Sequence, residues 1–410
     1  MAIFKREKYL RRIRGFYKAD DIIKVITGVR RCGKSTLMQM IASEINSAGV
    51  KEDHIIFLDL DKKEHLKIKT PAQLEQLIDN ACAHKRGRKY LFIDEIQNVN
   101  GFEELINAYR NESGYSIFIT GSNSYLLSGE LATKLTGRYM EFEMLPLTFD
   151  EYMQMKAFCG KKVSENLNEE LRSYILESGF PRTIFLDDIQ DKRAYLRAIV
   201  NEIFEKDIRR RVKIRNREAF EKTRNFVINN FGATMSIKKL SSLLRSDGLP
   251  ISRATVAAYI QALKDAKILY ECPRFDMKSK KSLSGEKKYY LADIGFYYAA
   301  NTDNRINYGP VLENIIFSYA KSLDYSISVG RIGRLECDFI LRNSEMEYIY
   351  AQATYTILAS TETEDREYRP LESVKDNYRK YVFTTDSLLQ KRNGIIHANI
   401  MEFIRDGKRF

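Results

Sequence analysis

Apolar and polar positions along the first 144 residues fall into blocks that change period. "IIKVITG" (22–28) is a β-branched apolar run, and the stretch behind it keeps Leu37, Met38 and Ile41 at helical spacing. "HIIFLDL" (54–60) reads as a second strand, Pro71 to His84 as a helix, Tyr90 to Ile93 as a third strand, residues near 101–110 as a helix and "YSIFITGSNS" (115–124) as a fourth strand. A helix near 125–136 and the strand "RYMEFEM" complete the series. Strands separated by helices in this way predict an α/β fold with a parallel sheet covered on both faces and ligands at the strands' C-terminal ends.

The pattern then changes. From Thr148 to about Phe231 the chain is helical and charged, which predicts a lid or connector. "SIKKLSSLLRSDGLPISRATVAAYIQALKDAKILYECPRF" gives a short helix, a turn through Asp247 to Pro250, and a second helix capped by Ser252 with Val256, Ile260 and Leu263 at helical spacing. The extended "ILYECPRF" follows, so the expectation is a helix-turn-helix leading to a wing with the basic tip "KSKKSLSGEKK". "GPVLENIIFSYAKSL" reads as a helix opened by Pro310, with Glu313 in its first turn.

Two strand-like runs come next, about a polar turn near 343–345. In the first, Leu335, Cys337, Phe339 and Leu341 face away from Glu336, Asp338 and Arg342, with Ile340 the exception; in the second, Ile349, Ala351 and Ala353 oppose Gln352, Thr354 and Thr356. A hairpin that buries both apolar faces must pair odd with odd. A three-residue loop then sets Asp338 near Tyr350 and points Gln352 and Thr354 to the same side as Asp338.

The polar clusters gain chemical meaning from this frame. Gly28 to Ser35 is G-x-x-x-x-G-K-S between a strand and a helix. The glycines let the backbone through Arg31, Cys32, Gly33 and Thr36 curl round phosphate oxygens at the positive end of the helix, Lys34 reaches the β/γ-phosphates, and the Ser35 hydroxyl ligates Mg²⁺. At the end of "KYLFIDEIQ", Asp94 is placed to hold Mg²⁺ through water and Glu95 to deprotonate the attacking water. Thr120, Ser122 or Asn123 would then lie near the γ-phosphate. The bland alternatives are a glycine turn before a helix and solvated turns at strand ends.

Bulk composition narrows the partners. The 410 residues suit two to four domains, and the formal charge of +12 suits an anionic partner, either nucleic acid or an acidic membrane surface. Five scattered cysteines without a C-x-x-C pair argue against a disulfide framework or a structural zinc site. No apolar run approaches the ~20 residues that span a bilayer, and the basic N-terminus lacks an apolar segment behind it, so a cytoplasmic chain without a membrane role is expected. The run Arg209, Arg210, Arg211, Lys213, Arg215 and Arg217 would track a phosphate backbone or form a solvated helix face. Ser252, Arg253, Thr255 and Gln261 would enter a DNA groove if the second helix is a reader rather than a spacer.

"GVRRCGKSTL", "FIDEIQ" and "TGSNSYLLSGELATKLTGRYMEFEMLPLTFDEY", with "SGFPRT" and "KYYLADIGF" further on, resemble the prokaryotic AAA-type P-loop ATPases that carry a winged helix and a C-terminal restriction-endonuclease-like domain of unknown function. The resemblance implies an AAA-type ATPase core at 1–146, a helical lid or connector at 147–231, a winged helix-turn-helix at 232–283 and a restriction-endonuclease-like α/β domain at 284–410. It implies ATP and Mg²⁺ as ligands, a transition-state or sensor role for Arg138, and metal-binding positions at Glu313, Asp338 and Gln352. Two departures stand out: Gln352 is neutral, and Thr354 occupies the place of the expected lysine, for which Lys375 or Lys380 would have to substitute. The expected activity is ATP hydrolysis controlling a DNA-binding or partner-binding module, DNA being favoured over RNA. The rivals are a signalling switch without nucleic acid and an ATP-gated nuclease, and rings formed by AAA-type relatives raise a homo-oligomer as a further expectation.

Overall fold

The computed structural model describes residues 3–121, 135, 137–209, 212–277, 281–301 and 306–410, with the backbone alone over 281–286. It divides into two units, Met1–Met144 and Leu145–Phe410.

Five parallel strands organise the first unit: β1 (Ile23–Gly28), β2 (Ile55–Asp59), β3 (Lys89–Asp94), β4 (Tyr115–Thr120) and β5 (Tyr139–Met144), in the order β2-β3-β4-β1-β5. Every residue of β1 and β4 is buried, as central strands covered on both faces require. The helices are α1 (Glu7–Ile13), α2 (Lys34–Ser47), α3 (Pro71–Cys82) and α4 (Phe102–Asn111). Thr70 and Gln73 close a capping box at the start of α3, with Pro71 as its first residue. Strand β4 stops at Thr120, short of the expected 124, and the helix expected near 125–136 lies outside the described residues apart from Leu135. The register pairs Ile26 with Thr120 and Ile93 with Ile119, so Gly28, Asp94 and Thr120 come to one edge of the sheet.

The second unit opens with α5 (Phe149–Phe158), α6 (Leu167–Glu177) and α7 (Ile189–Ile203). Then come α8 (Arg217–Asn229), β6 (Thr234–Met235), α9 (Ile237–Ser246), α10 (Arg253–Asp265), β7 (Leu269–Asp276) and β8 (Lys281–Leu291). Behind α11 (Gly295–Ala300) and α12 (Tyr308–Ser322) lie β9 (Ser326–Ile332), β10 (Leu335–Arg342), β11 (Tyr348–Ala353), α13 (Thr361–Glu372), β12 (Arg379–Thr384), β13 (Lys391–Arg392), β14 (Ile395–Asn399) and α14 (Ile400–Arg405). Nine strands form one mixed sheet, β13-β14-β12-β11-β10-β9-β7-β8-β6.

Strand pairing and helix packing run across two of the expected boundaries. Strand β7 pairs with β8 on one side and runs parallel to β9 on the other, so the expected wing hairpin is continuous with the C-terminal sheet, and a boundary at 283 would cut β8. The boundary at 231 separates α8 from α9 and α10, against which it packs.

The hairpin of β10 and β11 keeps odd-to-odd pairing but through a five-residue connection, 343–347, so Ile340 rather than Asp338 faces Tyr350. Asn343 makes that longer turn, its side-chain oxygen accepting the N–H groups of Glu345 and Glu347 at 3.0 and 2.9 Å. A bulge between Cys337 and Ile340 accounts for the apolar exception in the pattern. Ile340 joins Tyr350, Val382, Tyr368 and Leu371 in a core under α13, so the sheet is covered on this face too.

Asp293 ties the helical segment to the end of β8. Its buried carboxylate accepts the N–H groups of Gly179 and Gly295, both at 2.7 Å, bringing "SGFPRT" and "KYYLADIGF" together. Neither glycine has room for a side chain, since a Cβ on Gly179 would lie 2.3 Å from the Leu147 carbonyl and one on Gly295 would lie 2.6 Å from Asp293 itself. Burial pushes the Asp293 carboxyl up to about 6, above its unfolded value of about 3.9. Stability tied to its neutral form is therefore complete below about pH 4 and declines as pH rises to about 6. In chemical denaturation, Asp293→Asn is expected to abolish that decline, and Asp293→Ala to cost about 3 kcal/mol by stranding two buried donors.

Candidate active site

The loop between β1 and α2 is shaped by close approach to β5. Gly28 has φ +139°, and a Cβ there would sit 2.1 Å from the Met144 carbonyl oxygen, so only glycine fits. The buried Cys32 thiol donates to that same oxygen at 3.4 Å, while Arg6 donates to the Cys32 carbonyl at 3.4 Å. Burial pushes the Cys32 thiol up, so it acts as a packed anchor of the loop. Arg31, on the exposed side, takes a left-handed φ of 70°. Helix α2 begins at Lys34 after Gly33 (φ 109°), and no side chain caps it. The N–H groups of its first turn are therefore without a side-chain partner, with half-buried Ser35 and exposed Thr36 beside them.

Lys34 sits at the centre of this loop with 8% of its surface exposed. Its Nζ donates to the carbonyls of Gly28 at 3.0 Å and Val29 at 3.4 Å. Among the described residues its partners are main-chain carbonyls, and none is a carboxylate. An ammonium held by neutral oxygens at an uncapped helix start can receive an anion.

Asp94 and Glu95 face this loop from the end of β3. The Thr120 hydroxyl donates to Asp94 Oδ1 and accepts the Glu95 N–H at 3.2 Å, so one buried side chain of β4 positions both acids. Glu95 adopts a left-handed φ of 56°, an uncommon backbone for a non-glycine residue, and its carboxylate accepts from the Gln97 amide. Burial pushes the Glu95 carboxyl up, while Lys34, Arg30 and Gln97 pull it back. Thr120 thus braces Asp94 and Glu95. The positioning role of Gln97 was not visible in the sequence, although its place two residues after Glu95 in a tight turn was the available signal.

Ser122 and Asn123 lie outside the described residues. Arg138 lies at the opposite end of β1 from Gly28. Its carbonyl accepts the N–H of Ile23, the first residue of β1, whereas Gly28 at the other end of β1 pairs with Met144. Five strand steps of about 3.3 Å separate the two ends, beyond the span of one side chain.

A second polar centre lies in the other unit. Glu313 on α12 and Asp338 on β10 both approach the Lys288 ammonium, and the side chain of Gln352 on β11 reaches Asp338, its Oε1 accepting the Asp338 N–H at 2.6 Å. Asp338 Oδ2 accepts the Ala353 N–H at 3.0 Å, and Gln352 Nε2 donates to Glu367 Oε2 at 3.2 Å. The lysine missing at Thr354 comes from neither expected substitute: Lys375 is exposed, and Lys380 donates to the carbonyls of Val374 and Asp376. Lys288 on β8 supplies an ammonium instead, 3.1 Å from Glu313, 2.9 Å from Glu336 and 3.7 Å from Asp338. The signal was its strand spacing, since Lys288 and Tyr290 share a face and both bond Glu313.

Several expected phosphate contacts are taken up internally. Arg209 pairs with Glu205, Arg217 with Glu221 and Lys287 with Glu271, which Lys264 also meets, and Arg210, Arg211, Lys278 and Lys280 lie outside the described residues. Exposed positions at the second helix are Ser252, Arg253 and Gln261, with Thr255 half-buried. No helix among the described residues is long and apolar enough to cross a membrane.

The model of a family described as "AAA domain" matches residues 20–153, and that of a domain of unknown function, DUF8612, matches residues 168–306. A protein of Haemophilus influenzae described as uncharacterized is 33% identical over 384 residues, covering 93% of this chain and 94% of that protein. An uncharacterized protein of Methanocaldococcus jannaschii is 33% identical over 323 residues, 77% of this chain and 70% of the other. Among solved structures, a Walker-type ATPase of Pyrococcus abyssi shares the fold at a TM-score of 0.50 and 16% identity, over 73% of this chain and 96% of that one.

The Thr120 contacts carry a stability prediction. Thr120→Val keeps the shape but strands Asp94 and the Glu95 N–H, and should cost about 2 kcal/mol in urea denaturation, whereas Thr120→Ser should recover most of that loss.

Proposed function

The chain belongs to one family with the uncharacterized Haemophilus and Methanocaldococcus proteins and matches an AAA domain over residues 20–153, and from that premise we propose that it hydrolyses Mg-ATP and uses nucleotide state to govern a DNA-binding module in its second unit. The observation that carries the first half is Lys34, a buried ammonium whose described partners are main-chain carbonyls at an uncapped helix start. In this reading Lys34 leaves the Gly28 and Val29 carbonyls for the β/γ-phosphates, and the N–H groups from Gly33 to Thr36 hold phosphate oxygens. Ser35 and Asp94 would hold Mg²⁺, which neutralises phosphate charge when bound. Glu95 takes the proton of the attacking water, a task suited to a carboxyl raised by burial. Gln97 orients that carboxylate, and Thr120 holds Asp94 and the Glu95 backbone in place.

The DNA half rests on the net charge of +12 and on the order α8-β6-α9-α10-β7-β8, which supports a winged-helix reading with Arg253 and Gln261 on the exposed side of its second helix. The internal pairing of Arg209, Arg217, Lys264 and Lys287 favours a second reading, in which the module binds a protein.

ATPase rates measured with and without single-stranded, duplex and branched DNA test both halves. Lys34→Ala and Glu95→Gln should each lower the rate by about 100-fold or more, and a rate that survives both refutes the site. Stimulation that fades steeply between low and high salt supports DNA, because phosphate contacts release counterions. Absence of any DNA effect selects the protein-binding alternative.

A further inference from the structure

A restriction-endonuclease-like fold implies a Mg²⁺ held by the acids that here are Glu313 and Asp338, with Gln352 completing the set. The residues present do not fit that ion. We propose that Lys288 is the resident cation of this centre, so that the cluster is closed to metal and instead pins strand β8 to the C-terminal sheet and to α12.

Occupancy is the first argument. Lys288 Nζ lies within 3.1 Å of Glu313 and Glu336 and 3.7 Å from Asp338, with only 4% of the residue exposed. A divalent ion bridging Glu313 and Asp338 would have to sit where that ammonium sits, beside a like charge.

Donor chemistry is the second. The Gln352 amide is committed at both ends, its oxygen to the Asp338 N–H and its nitrogen to Glu367, and Asp338 Oδ2 is committed to the Ala353 N–H. Glu313 Oε2 accepts from both Lys288 and Tyr290. Hard cations need several anionic oxygens free to converge, and here they converge on nitrogen. Among the described residues no three acidic, histidine or cysteine side chains group as metal ligands.

The third argument is what the ammonium joins. Lys288, Tyr290 and Leu291 belong to β8, and one turn of α12 takes all three: Glu313 bonds the two side chains, while Asn314 bonds the Leu291 N–H at 2.7 Å and carbonyl at 2.9 Å. Arg274 on β7 caps Glu336 from the other side at 2.9 Å. The cluster therefore fastens the hairpin of the helix-turn-helix segment to the C-terminal sheet, and this holds whether or not the first unit hydrolyses ATP.

Mn²⁺ titration without nucleotide, followed by the electron paramagnetic resonance of free Mn²⁺ and by thermal denaturation, tests the proposal on the 410-residue chain. Wild type should neither bind Mn²⁺ at this cluster nor gain melting temperature from it. Lys288→Met should melt lower without metal, bind Mn²⁺ at least about tenfold more tightly than wild type, and regain melting temperature as it binds. Adding Asp338→Asn should remove that gain. Wild-type Mn²⁺ binding that disappears in Asp338→Asn would overturn the proposal, and this comparison stands even if Lys288→Met fails to fold. A Lys288→Met protein as stable as wild type would overturn the fastening role.

Discussion

A lysine ammonium taken out of water must find oxygen partners, and the two polar centres built from Lys34 and Lys288 are each arranged about one. The two differ in what the partners are. Lys34 meets neutral main-chain carbonyls next to a helix start that no side chain caps. Lys288 meets Glu313, Glu336 and Asp338, so its charge is already answered. The first arrangement attracts a polyanion, and the second is complete without a ligand. On the proposed reading, one chain carries an open anion site in its ATPase fold and a closed centre in its C-terminal sheet.

Register delivers the groups to each centre. In the first unit, parallel pairing of β1, β3 and β4 sets Gly28, Asp94 and Thr120 at the same edge, and the Thr120 hydroxyl then ties the two acids to the strand beside them. In the second, the bulge in β10 and a five-residue turn bring Asp338 against Gln352, while the β7–β9 pairing lets a lysine from a distant hairpin enter the sheet. The ammonium beside these acids therefore comes from β8.

Local chemistry was legible in the sequence, and pairing across distance was not. The loop from Gly28 to Ser35 and the pair Asp94-Glu95 follow from short motifs in strand context, and odd-to-odd parity of the hairpin follows from period two alone. The turn length did not follow, because Asn343 stabilises a wider loop by side-chain bonds that spacing does not encode. Lys288 read as part of a basic wing tip, since nothing local says that its strand is flanked by Glu313 and Glu336. Arg138 read as a candidate for phosphate contact, since the end of the sheet it occupies depends on the β1–β5 register.

Manganese anomalous scattering from crystals grown with Mn²⁺ and a non-hydrolysable ATP analogue tests this contrast most directly. The account predicts nucleotide phosphates against Gly33 to Thr36, Lys34 moved from the Gly28 carbonyl to the phosphates, and a single manganese peak beside Ser35 and Asp94. A second peak among Glu313, Asp338 and Gln352, or Lys34 still on its carbonyls with no nucleotide bound, would contradict it.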